Sequence, residues 1–248
     1  MSQQEGLYLY CIIRSSSPVT FGHFGIGGRG DEVTTVGYDG ICAVVSRAPL
    51  MKYDASRENM IAHEMVIETV MKEYSVLPLR FATVVENESD VIGLLKEKYD
   101  RFVDGLDFVK GKVELGIKAI AKKDIVFDDI LQNYEEVRRL KKKIEGMSHD
   151  QAYYEHIEIG KKVEEALELE KEKYRKAILD ALGPVALEIK ENNCFGDRMI
   201  VNAAFFVDAK REPEFDSRVN ELADQYGDKV IFKYVGGLPP YSFVNLSL

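Results

Sequence analysis

Apolar positions cluster or alternate over the first fifty residues and then change to three- and four-residue steps. Leu7-Tyr8-Leu9-Tyr10-Cys11-Ile12-Ile13 is a β-prone run closed by the turn residues Ser15 to Pro18. Val33 to Tyr38 and Ile41 to Ser46 form a second and a third strand, joined through the hairpin pair Asp39-Gly40. Ser56 is placed to cap a helix in which Met60, His63, Ile67, Val70, Met71 and Tyr74 share one face, with Asn59 completing an imperfect capping box. Pro78 forbids helix, so Leu77 to Val85 is expected as a strand, followed by a helix capped at Ser89 and running to Phe108.

The pattern restarts at Lys110-Gly111. In the strand Lys112 to Ala121, Val113, Leu115, Ile117 and Ala119 fall on one side. Two helical stretches follow. The first starts near Asp128 and carries Ile130, Tyr134, Val137, Leu140, Ile144 and Met147 at nearly heptad spacing. The second runs from near Asp150 to Leu182, with Glu and Lys spaced for i,i+4 pairs. A charged helix of that length cannot lie wholly on a small sheet, so residues 128 to 182 are expected to project as a helical hairpin. Gly183-Pro184 interrupts the helix, and Val185 to Glu191 is expected to carry it on. The strand Met199 to Asp208, the helix Pro213 to Tyr226 and the strand Val230 to Val235 complete the order before Gly236 to Pro240 turn into a tail. The expectation is an α+β fold of two domains. Residues 1 to 109 form the first. Residues 110 to 248 form a second, ferredoxin-like domain with the hairpin inserted and a tail at its end.

Length and charge narrow the function. The chain has 248 residues, 46% hydrophobic and 30% charged, with a formal net charge of −9. Nothing in it approaches the roughly 20 apolar residues of a membrane span, and residues 1 to 5 lack the pattern of a signal peptide, so a cytoplasmic protein is expected. The one basic run, Arg138 to Lys143, is flanked by Glu135, Glu136 and Glu145 and reads as a helix surface, not a nucleic-acid site. Three scattered cysteines make neither a disulfide framework nor a metal knuckle.

The chemical motifs are weak. Gly25 to Gly30 matches G-x-G-x-x-G, yet the glycines follow a loop and lead into a strand, the wrong context for a pyrophosphate. His63-Glu64 begins like a zinc-protease helix, but Ile67 stands where the second histidine belongs. No catalytic, cofactor or metal residues are expected. Arg80 is an arginine in an apolar run, and its five fixed donors suit bracing through carboxylates or carbonyls, or an interaction surface.

Two stretches carry a resemblance. "VLPLRFATVV" (residues 76 to 85), after the helix of His63, and "GGLPPYSFV" (residues 236 to 244) resemble the leucine-proline-leucine-arginine-phenylalanine and proline-proline-tyrosine-serine-phenylalanine motifs of the gas vesicle GvpL/GvpF family. "KVELGIK" (residues 112 to 118) resembles the strand that opens the family's second domain. The chain departs from the pattern at Ala82, where the family usually has glycine, at Leu115, where it has tryptophan, and at Gly237-Leu238, where it has proline-tryptophan. The resemblance implies an accessory or minor structural protein of gas vesicle assembly, located at the vesicle in the cytoplasm. Its partners would be the very hydrophobic shell protein and other accessory factors, with no nucleic acid or membrane. An acidic partner that covers an apolar subunit would keep it in solution. His63, Leu79, Arg80, Phe81, Pro239, Pro240, Tyr241 and Phe243 are the candidate binding or signature positions, and the helical hairpin is the expected contact for other assembly factors. The competing reading is a ligand-binding or enzymatic ferredoxin-like α+β protein, which demands a deep polar pocket near Arg80 or Tyr241.

Overall fold

The computed structural model describes residues 4–122, 130–144, 153–244 and 246. Two units emerge, Met1–Glu114 with Gly236–Leu248, and Leu115–Val235. The second unit is therefore an insertion in the first. The tail, which the sequence assigns to the second domain, belongs to the first unit, because its anchoring partners are there.

In the first unit the strands β1 (Glu5–Arg14), β2 (Thr20–His23), β3 (Glu32–Tyr38) and β4 (Ile41–Pro49) form an antiparallel sheet in the order β2-β3-β4-β1. Asp39 and Gly40, both at positive φ (45° and 81°), make the tight β3–β4 turn. One face of the sheet packs Tyr8, Tyr10, Val33, Val44 and Ala48 beneath α1 (Arg57–Met71). Ser56 caps α1 by accepting from the Asn59 N–H, as the sequence predicts. The residues α1 buries are His63, Val66, Ile67 and Val70, while Met60, Met71 and Tyr74 are half-buried.

The expected strand from Leu77 to Val85 is divided. Leu77–Pro78 is β5 and Val84–Val85 is β6, and both pair antiparallel with β1. Leu79 N–H donates to the Tyr10 carbonyl and Leu9 N–H to the Thr83 carbonyl, so residues 80–82 arch away from an otherwise continuous ladder. Pro78 lacks the donor a longer strand would need, and Ala82 takes φ 64°, which no strand accommodates.

The helix expected from Ser89 to Phe108 is also two elements, α2 (Glu88–Glu97) and α3 (Tyr99–Val109), broken at Lys98. Its cap is Asn87, not Ser89. The Asn87 side chain accepts from Asp90 N–H while the Asp90 carboxylate accepts from Asn87 N–H, a reciprocal capping box. These helices bury Val91, Leu95, Phe102, Leu106 and Val109.

The second sheet has the order β10-β7-β9-β8, from β7 (Lys112–Ala121), β8 (Glu188–Glu191), β9 (Met199–Asp208) and β10 (Val230–Leu238). Along β7 and β9 nearly every residue is buried or half-buried. Between β7 and β8 lie α4 (Glu135–Ile144) and α5 (Tyr153–Leu182), and α6 (Glu212–Tyr226) joins β9 to β10. The helices α4 and α5 pack together as the expected hairpin, burying Val137, Leu140 and Ala166. Glu170, only 5% exposed, accepts from the Tyr134 hydroxyl at 3.1 Å and from Lys173 at 2.6 Å. The helix starts expected near Asp128 and Asp150, and the seam residue Met147, fall outside the described residues. Val185 to Glu191 does not continue α5. After a tight turn over Gly183–Val185 the chain becomes the edge strand β8, paired with β9. Its exposed Glu188, Lys190 and Glu191 keep that edge charged, which discourages further pairing.

Candidate functional site

Tyr8 and Tyr10 stand two apart on β1 and so face the same side of the sheet, where both rings enter the core with centroids 4.9 Å apart. The shift in register with β4 between Leu9 and Cys11 brings Cys11 into the same cluster. Tyr53 meets Tyr8 edge-on at 5.3 Å, His63 stacks on Tyr10 at 5.7 Å, and Phe81 contacts His63 edge-on at 5.7 Å. Offset and edge-on pairs of this kind contribute about 0.5–1.5 kcal/mol beyond their buried area.

Each buried hydroxyl is satisfied. The Tyr8 hydroxyl accepts from Ala82 N–H at 2.8 Å and shares a hydrogen bond with His63 Nδ1 at 3.1 Å. The Tyr10 hydroxyl accepts from Ile26 N–H at 2.7 Å and bonds Ser46 Oγ at 2.8 Å. One side of β1 thus ties down the 80–82 arch and the other ties down the glycine loop. Gly25 serves packing, since a Cβ there would lie 2.7 Å from Ser46 Oγ beside the fully buried Ile26, while Gly27, Gly28 and Gly30 supply the positive φ the turn needs. Arg29 closes the loop from outside on Glu5 and Asp31.

Burial sets the protonation of the cluster. It lowers the His63 pKa to about 4, the Leu79 backbone offsetting only part of the effect. Among the described residues His63 Nε2 has no hydrogen-bond partner of ordinary geometry. Burial likewise pushes Tyr8 far above the usual phenol range and Tyr10 to about 12. The cluster is neutral at physiological pH.

The tail reaches the same neighbourhood. Pro239 and Pro240 are buried, and a turn wound on them brings Tyr241 N–H to the Pro239 carbonyl at 2.7 Å. Burial, then the charges of Glu64 and Glu68, raise the Tyr241 hydroxyl well above its ordinary pKa, although the residue remains 38% exposed. Ser242 clamps Glu114, its N–H donating to Oε2 at 2.7 Å and its hydroxyl to Oε1 at 2.6 Å. Glu114 is 6% exposed, so a buried carboxylate meets two well-aligned donors.

The structure thus brings His63 and Phe81 into one aromatic cluster with Leu79 buried and bonded to Tyr10 beside it, while Tyr241 sits on a separate turn set by Pro239 and Pro240. Phe243 is half-buried beside the clamp. Arg80 stands apart. Its side chain is exposed on the arch, and its carbonyl accepts from the Thr83 hydroxyl at 2.7 Å. The organising partners Tyr8, Tyr53 and Ser242 were not singled out from sequence. A tyrosine inside a strand-like run was the available signal, since a buried phenol needs a partner.

Among the described residues, a cavity of about 480 Å³ is bordered by Leu7, Glu32, Val45, Arg47, Glu88 and Ile92, and another of about 330 Å³ lies between the 15–18 loop and the β3–β4 turn. Neither is lined by Arg80 or Tyr241. No group of three or more His, Cys, Asp or Glu among the described residues is placed to hold a metal.

Fold and cluster define a two-sheet α+β protein whose distinctive residues fasten the arch to β1 and the tail to Glu114 of β7. The profile of gas vesicle synthesis protein GvpL/GvpF matches residues 6–245. The chain belongs to the GvpL/GvpF family. It is 29% identical over 246 residues to gas vesicle protein F of Nostoc sp., covering 98% of this chain and 99% of that protein. It is 31% identical over 245 residues to gas vesicle protein F of Microcystis aeruginosa, covering 97% of this chain and 98% of that protein. The crystal structure of GvpF from Anabaena sp. superposes with a TM-score of 0.85 at 29% identity over the full length of both chains. That of Microcystis aeruginosa GvpF gives 0.78 at 28% identity, covering 97% of this chain and 99% of the other.

Proposed function

We propose that this chain acts in gas vesicle formation as an assembly factor at the vesicle, holding the hydrophobic shell protein in solution and placing it, through the outer face of α1. The observation that carries this is an exposed apolar pair. Ile61 is 51% exposed and Met65 43%, one turn apart on the side of α1 opposite His63, Ile67 and Val70. Met51, 48% exposed, is a further apolar side chain on the same unit. The helix is pinned from below by the aromatic cluster, which makes its outer face a rigid platform.

The second unit supports a separate role. Its element order β-α-β-β-α-β and sheet order β10-β7-β9-β8 support reading it as ferredoxin-like, with α4 and α5 as an elaborated first crossover. That hairpin carries the contacts to other gas vesicle accessory proteins, working as a short coiled-coil arm. The reading involves no bond-making step.

Co-expression of the full chain with a shell protein tests the assignment. Shell protein in the soluble fraction should fall by at least half with Ile61→Lys/Met65→Lys. It should persist when equally exposed residues of the hairpin, Leu169→Lys and Ile157→Lys, are changed. Loss with the hairpin pair alone would move the shell site to the second unit.

A further inference from the structure

The outer stripe of α1 is not simply apolar. Glu58, Glu64 and Glu68 are exposed and fall on the same side as Ile61 and Met65, so three carboxylates frame the two aliphatic side chains. Arg57 and Lys72 lie on this side only at the two ends of the helix. Glu58 stands in the first turn beside Arg57, and beyond it the stripe carries Glu64 and Glu68 with no cation before Lys72. Among the described residues none of the three glutamates forms an ion pair, in contrast to α5, where Glu165, Glu168 and Glu170 each pair with a lysine three residues away. Two aliphatic side chains inside an acidic frame make a particular surface, and it is complementary to a particular partner.

Resting on the assignment of α1 as the shell-binding face, we infer that the segment docking there is an amphipathic helix whose apolar stripe is flanked by lysine or arginine, selected by charge as well as by hydrophobicity. Ile61 and Met65 would cover its apolar stripe. Glu58, Glu64 and Glu68 would face its cations at the solvated rim. Charges at a rim act chiefly on encounter rate, register and the rejection of wrong partners. They do so within a Debye length of about 8 Å at physiological ionic strength. A partner helix flanked by acids would meet like charge on both sides.

The test uses the full chain and two synthetic amphipathic helices of 18 residues, one of leucine and lysine and one with glutamate in place of every lysine. Binding is followed by fluorescence anisotropy at 50 mM and 500 mM salt. The lysine helix should bind and the glutamate helix should not, and raising the salt should weaken the lysine helix severalfold. Glu58→Gln/Glu64→Gln/Glu68→Gln should raise its Kd roughly five- to tenfold at low salt. A control, Glu86→Gln/Glu97→Gln/Asp104→Asn, removes as much charge from exposed positions of the same unit and should change Kd less than twofold. Equal losses in both triple variants would reduce the effect to net charge and overturn the inference. So would equal binding of the two helices. Shell protein solubility in co-expression is read independently. If it depends on Ile61 and Met65 while the glutamate triple variant leaves both readouts unchanged, the docking face stands and the charge rule falls. If it does not depend on them, the docking face itself falls.

Discussion

Ala82 takes φ +64°, a conformation that costs an L-residue about 1 kcal/mol and costs glycine almost nothing. The arch it belongs to needs that conformation so that Ala82 N–H can reach the Tyr8 hydroxyl. This explains why glycine is usual at this position of the motif. Ala82→Gly should stabilise the protein by about 0.5–1 kcal/mol and Ala82→Val should destabilise it by more, read from denaturant midpoints. His63 gives a second expectation. Its folded pKa is depressed to about 4 from an ordinary 6.5, so the folded state resists a proton that the unfolded state accepts. Its contribution is complete above pH 6.5 and is lost as pH falls from there toward 4, at up to about 1.4 kcal/mol per pH unit. Melting curves at pH 7.5, 6 and 4.5 should show this loss, and His63→Gln, less stable at pH 7.5, should show a flatter decline.

At the scale of elements, periodicity was an adequate guide wherever one face of a helix or strand is buried. The first four expected strands and helices, the hairpin seam through Val137 and Leu140, and the cap at Ser56 were all legible. The errors fall where tertiary bonds override a local pattern. Leu77 to Val85 is apolar enough for one strand, but its central residues leave the ladder to serve a phenol 74 residues away. Val185 to Glu191 follows a helix, yet an available edge on β9 captures it once Pro184 has ended that helix. The site was legible as motifs and not as geometry. The sequence marked Glu114 within one motif and Ser242 within another without showing that they touch. Ser242→Ala removes one of two donors to a buried carboxylate and should cost about 1–3 kcal/mol. Limited proteolysis should then cut near the tail before other sites. Glu114→Gln, which keeps the shape and one acceptor, should cost less than Glu114→Ala.

For the whole molecule, two units of unlike surface are encoded in one chain, with an aromatic core in the first and a charged hairpin in the second. Exchange of the hairpin's Glu170 for Ala should leave Lys173 and Tyr134 without their shared acceptor and loosen α4 from α5. Hydrogen exchange should report faster amides in α4 and in the first half of α5, with the β1–β4 amides unchanged.

The second unit interrupts the first, and the bond from Ser242 to Glu114 closes a circuit of 128 residues. A ribosome reading from the amino end makes the early sheet before the second unit and reaches the tail from Gly236 only after it. The unit begun first is therefore completed after the one inserted in it. Cutting the gene at the apparent seam near residue 110 would deliver an unfinished amino-terminal half, to be restored by supplying residues 236 to 248 as a separate peptide.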